Sequence, residues 1–118
     1  MLTNLFNVTK LDVSSFDTSS VVDMSVMFAH NISLIELDVS NFDTSNVTNM
    51  RGMFHRALSI ERLDLRSFNT MNVVNKDQMF QDTQKLTQVL VTQSTWRTVG
   101  VITAGMWSGS NINTVTFG

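Results

Sequence analysis

Few side chains in this 118-residue chain are of a kind that does chemistry, and those few recur at one interval. Asp12, Asp38 and Asp64 stand 26 residues apart, and so do Lys10, Glu36, Arg62 and Gln88. Three carboxylates gathered by a stacked fold suggest two chemistries: a divalent-cation site, or a row of like charges that neighbours must compensate. A hard cation wants roughly six to eight oxygens from a loop cage. A column of strand residues does not offer that, so no metal and no cofactor is expected. Left alone, stacked like charges would cost from a few tenths to about 1 kcal/mol per pair. Ser14, Ser40, Arg62 and Arg66 are near enough to supply hydrogen bonds and positive charge. The Lys10, Glu36, Arg62, Gln88 column alternates in sign, so adjacent copies can pair across it.

Other reactive groups lack company. His30 and His55 miss a common column by one residue, and no Ser, Cys or carboxylate stands at triad spacing with them, so they are expected as separate surface histidines. Lys76 occupies the place held by Met24 and Met50 one and two steps earlier. It could snorkel past its neighbours or pair with Asp77 or Asp82, but no base or pocket residue accompanies it, and a frayed helix near the end of the array explains it better than catalysis. There is no cysteine, which removes disulfides, thiolate catalysis and Cys-based metal sites together. No catalytic residue is expected. The sequons at Asn7, Asn31 and Asn46 follow from the Asn and Thr content of the repeat and matter only in a glycosylating host.

The elements that must position these residues are copies of one another. Residues 37–62 read LDVSNFDTSNVTNMRGMFHRALSIER; residues 11–36 and 63–88 repeat them in step. Leu11, Leu37 and Leu63 correspond, as do Phe16, Phe42 and Phe68, and Phe28, Phe54 and Phe80. A fixed period in this range signals stacked repeat units. Within a unit, Leu37 and Val39 alternate with Asp38 and Ser40, the pattern of a half-buried strand. Phe42 is expected to point inward from the turn, and to form a column with Phe16 and Phe68. Val47, Met50, Met53 and Phe54 follow at i, i+3, i+6, i+7, which predicts a helix of about three turns. Asp43 and Thr44, like Asp17-Thr18 and Asn69-Thr70, are read as its turn and cap.

Strand, capped turn, helix and return make an α/β solenoid, a leucine-rich-repeat-like right-handed coil. Its parallel strands are expected at 11–13, 37–39, 63–65, 89–91 and 115–117, with short helices on the opposite face. The usual buried Asn of such coils is absent from the motif. One repeat domain covers residues 1–118: a partial unit at 1–10, units at 11–36, 37–62 and 63–88, and a degenerate C-terminal unit at 89–118, where Trp96 and Trp107 would cover the end of the core. MLTNLFNVTK lacks the basic and apolar regions of a signal peptide and starts mid-unit, so the chain reads as a fragment of a longer array.

Composition closes several function classes. At 42% hydrophobic and 15% charged, with a formal net charge of −2, the chain is neither disordered nor basic enough for a nucleic-acid surface. No apolar run approaches the roughly 18 residues of a membrane span.

On LDVSNFDTSNVTNMRGMF and its copies, the chain resembles the BspA-like branch of leucine-rich repeats, the 26-residue surface-protein repeat of Gram-positive bacteria. The likeness is specific over residues 11–80, and Asn31, Ala57 and Thr83 stand near that family's frequent Cys. The resemblance implies an extracellular, cell-surface or wall-attached protein that adheres to a host matrix protein, mucin or glycan, and it carries no catalytic residues. The expected function is therefore a monomeric binding module that uses its strand face, through Glu36, Asp38, Arg62, Asp64, Arg66 and Gln88. The alternative is a structural spacer that displays another domain.

Overall fold

The computed structural model describes residues 2–92 and 94–96, and the backbone of residues 114–117. Five short strands occur among them: β1 (Lys10–Leu11), β2 (Glu36–Leu37), β3 (Arg62–Asp64), β4 (Gln88–Val91) and β5 (Thr114–Phe117). All pairings are parallel. Lys10 faces Glu36, Arg62 faces Gln88 and Gln88 faces Thr114, so each register equals the 26-residue step. The strands form two sheets, β1–β2 and β3–β4–β5, with no pairing between β2 and β3.

The α/β solenoid with helices behind its strands is overturned. No helix occurs among the described residues, and two small sheets stand where one continuous sheet was expected. The reason lies in how the N–H groups of the predicted helix are used. A helix sends each N–H to the carbonyl four residues back. Here Met53, His55 and Ala57 donate three residues back, to Met50, Gly52 and Phe54. The alternate donors, Met50, Gly52, Phe54 and Arg56, cross to the carbonyls of Asn75, Asp77, Met79 and Gln81 in the next unit. Positive φ recurs in step as well, at Val26 (51°), Gly52 (60°) and Gln78 (59°), and again at His30 (62°), Arg56 (59°) and Asp82 (59°). One left-handed residue in every four is incompatible with a helix. The segment is a series of tight turns stitched to its neighbour.

The turns still bury the residues the helix would have buried. Val47, Met50, Met53 and Phe54 are all inside. Phe28, Phe54 and Phe80 stack at 5.7 Å between ring centroids, and Phe42 stacks on Phe68 at 6.3 Å. The expected Phe16, Phe42, Phe68 column is incomplete: Phe16 is 39% exposed on the upstream edge, and Phe42 meets Phe28 at 6.1 Å instead. Lys76 is buried, with its Nζ 3.4 Å from the Val73 carbonyl. Trp96 is buried against the core, as its place at the end of the array suggested. Trp107 and most of the unit expected at 89–118 lie outside the described residues.

The strand face and its groove as candidate functional site

The outward residues of the short strands arise from period-two alternation, which sends Leu63 and Leu65 into the core and leaves Arg62, Asp64 and Arg66 outside. Lys10 Nζ lies 3.5 Å from Glu36 Oε2, with the two side chains 72% and 67% exposed, so this pair contributes little stability. Arg62 belongs to the other sheet and forms no ion pair with a described residue.

Each aspartate of the second column is compensated locally. Ser14 donates to Asp12 Oδ1 from its N–H at 3.0 Å and its hydroxyl at 2.6 Å. The Ser40 N–H donates to Asp38 Oδ1 at 2.9 Å. The Arg66 guanidinium grips Asp64 with two bonds, 2.9 and 2.6 Å. These bonds hold the carboxylates below their ordinary titration range: the Ser14 hydroxyl for Asp12, the Ser40 hydroxyl for Asp38 against the opposing charge of Asp64, and the Arg66 side chain for Asp64. Among the described residues, no group of three or more His, Cys, Asp or Glu side chains is arranged to hold a metal ion.

The break between the sheets shapes the surface. An open groove of about 700 Å³ is lined by Lys10, Asp12, Glu36, Asp38, Arg62 and Asp64, over an apolar floor that includes Leu37. A smaller depression of about 360 Å³ lies where β2 and β3 fail to pair, between Asp38 on one side and Asp64 and Arg66 on the other. A serine ties the units together there, Ser67 Oγ donating to the Val39 carbonyl at 2.9 Å, and ahead of the strands Ser59 Oγ donates to the Ile32 carbonyl at 2.6 Å. Of the residues expected to bind, Glu36, Asp38, Arg62 and Asp64 share the larger groove, and Arg66 lines the smaller. Gln88 is half-buried on β4 and lines neither.

Several polar residues do work that sequence reasoning missed. Thr18, Thr44 and Thr70 are buried and are not helix caps. The Thr18 hydroxyl accepts the Asp43 N–H at 2.8 Å and donates to the Asp43 carbonyl at 3.1 Å. Their signal was plain: Thr holds this place in all three units while the residue before it varies between Asp and Asn. Asn41 Nδ2 reaches the carbonyls of Val13, Ser14 and Phe16. Asn31 is fully buried and its Oδ1 accepts the Leu5 N–H at 3.0 Å, while the place of the buried Asn in leucine-rich coils is taken by the buried ring of Phe42, as expected. The two histidines are not separate surface groups either. Their rings meet edge-on at 5.2 Å, half-buried, and His55 Nε2 is 3.7 Å from Asp82 Oδ2. Burial pushes the His55 pKa down, helped by the charges of His30 and Arg56 and opposed by Asp82.

A family model described as "Mycoplasma protein of unknown function, DUF285" matches residues 1–114. No curated protein and no solved structure matches the chain.

Proposed function

The chain belongs to the family described as Mycoplasma protein of unknown function, DUF285, and we propose that it serves there as a non-catalytic repeat module that binds a protein or glycan partner outside the cell. The observation that carries this reading is the open groove on which Glu36, Asp38, Arg62 and Asp64 converge. It combines both signs of charge with an apolar floor, a mixture suited to a polar, extended ligand. The motif's likeness to BspA-like surface repeats supports an adhesive role toward a host matrix protein, mucin or glycan. Among the described residues no helix is long and apolar enough to cross a membrane.

Arg62 is the residue to alter first. Arg66 is already committed to Asp64, whereas Arg62 points into the groove without an ion-pair partner among the described residues. Arg62→Glu is expected to abolish retention on immobilised matrix proteins or mucins while the thermal midpoint moves by no more than about 4 °C, since exposed substitutions rarely exceed roughly 0.5 kcal/mol. Equal retention of the variant would refute a role for this groove. A second reading, a spacer that displays another domain, is favoured by the unit-to-unit hydrogen bonds, which stiffen the array. It would stand if the unaltered protein were never retained on any such surface.

A further inference from the structure

We propose that His30, His55 and Asp82 form a proton-operated latch, in which His55 closes on the first unit when neutral and is drawn to the third unit when charged. Each of the three side chains comes from a different unit. The His30 and His55 rings meet edge-on at 5.2 Å, and His55 Nε2 lies 3.7 Å from Asp82 Oδ2. His55 therefore stands between an aromatic neighbour upstream and a carboxylate downstream. Backbone bonds leave the same place in the same two directions. The His30 N–H donates to the His55 carbonyl at 2.7 Å, which joins the first unit to the second. The Arg56 N–H donates to the Gln81 carbonyl at 2.9 Å, which joins the second unit to the third.

The cluster lies inside the stack. Asn4, His30, Arg56 and Asp82 hold one place in successive units, with φ of 60°, 62°, 59° and 59°. The histidine pair thus has described neighbours on both sides. Both rings are half-buried, and among the described residues the charged groups that face the pair are Arg56 and Asp82.

Two neutral rings set edge to face attract, because the positive rim of one meets the negative face of the other. Protonation reverses the balance. A proton on His55 has Asp82 as its counter-ion. A second proton, on His30, brings two like charges together beside Arg56, with a single carboxylate to offset all three. Partial burial leaves little water to screen that repulsion. Burial first, and then the charge on His30, already hold the His55 pKa down against the pull of Asp82. Protons therefore favour the open form, and the contact with the first unit is lost as pH falls through the histidine range, from about 7 to about 5. The contact with Asp82 is kept, since charging His55 strengthens it. One seam loosens while the next one holds.

The test is residue-resolved amide exchange of the intact protein at about pH 7.5 and about pH 5, corrected for intrinsic rates. Opening at the His30 N–H is expected to rise about tenfold in acid, the change given by one unit of pKa difference between closed and open forms. Opening at the Arg56 N–H is expected to change by less than about twofold. His30→Asn, the residue type already present at Asn4 with the same backbone, should abolish the rise. Asp82→Asn should move its midpoint to lower pH, because His55 loses its counter-ion. Equal rises at His30 and Arg56 would mean general loosening in acid and would overturn the latch. So would the absence of a rise, a rise that survives His30→Asn, or an unmoved midpoint in Asp82→Asn.

Discussion

The Thr44 hydroxyl accepts the N–H of Asn69 at 2.7 Å and donates to the Asn69 carbonyl at 2.9 Å. One side chain thereby satisfies both backbone groups of a residue in the next unit. The same contact joins Thr18 to Asp43, and it is the clearest reason the 26-residue units hold one register.

Thr44→Val keeps the shape and removes both bonds, leaving buried polar groups of Asn69 unpaired. A loss of about 1–3 kcal/mol is expected, with a fall in the thermal midpoint of about 4–8 °C for each kcal/mol. Thr44→Ser should retain most of the stability. A serine variant that melts below the valine variant would show that the methyl group, and not the hydroxyl, matters.

The two phenylalanines at equivalent positions should behave unequally. Phe42 is buried between Phe28 and Phe68, so Phe42→Ala should cost roughly 3–5 kcal/mol. Phe16 is 39% exposed, and Phe16→Ala should cost far less. Urea titration of both variants checks this, and similar losses would contradict the difference in burial.

Backbone handedness gives a third prediction. Gly52 has φ of 60°, and a Cβ there would stand 3.2 Å from Val26 Cγ1. Gly52→Ala should destabilise by about 1–2 kcal/mol, the usual cost of a left-handed non-glycine residue. Val26, one step upstream, is a β-branched residue at φ of 51° and is 43% exposed. Val26→Gly should therefore be neutral or stabilising. A calorimetric midpoint that drops for Val26→Gly as much as for Gly52→Ala would argue against this backbone path.

Acid should loosen the corners. Asp12, Asp17, Asp38 and Asp43 are held below their ordinary pKa by the serine two residues on, mainly through its hydroxyl. A carboxylate with a depressed folded pKa contributes stability above its unfolded value, and that stability is lost as pH falls through the folded value. Stability is thus expected to decline below about pH 4, and combined Ser14→Ala, Ser19→Ala, Ser40→Ala and Ser45→Ala changes should flatten the decline. His55 acts nearer neutrality. Its pKa is also depressed, so its contribution is present above the unfolded value and fades as pH drops below it. His30, Arg56 and Asp82 face it. His55→Gln should remove the part of the slope between about pH 5 and 7, measured by urea midpoints across that range.

How far the sequence is legible depends on which partner a residue bonds to. Side-chain periodicity marks burial, and Met50, Met53 and Phe54 are buried as their spacing suggests. The same spacing fits a helix and a run of three-residue turns, because both return a side chain to one face about every third residue. Only the destination of the alternate N–H groups separates them. At the groove, the strand alternation placed Glu36, Asp38, Arg62 and Asp64 correctly on one surface. It also offered Ser14, Ser40, Arg62 and Arg66 as compensation for the aspartates, but which arginine closes on Asp64 depends on a rotamer, and Arg66 does so with two bonds.

The sequence by itself determined the 26-residue step, the parallel register that keeps it, and which apolar residues go inside, Phe16 excepted. Those follow from local repetition and from the removal of apolar surface from water, which side-chain type alone dictates. Tertiary structure decided the backbone path, the break between β2 and β3, and the bridging role of Thr18, Thr44 and Thr70. The physical reason is that these rest on hydrogen bonds to residues about 25 positions away. Such partners exist only once the units have stacked.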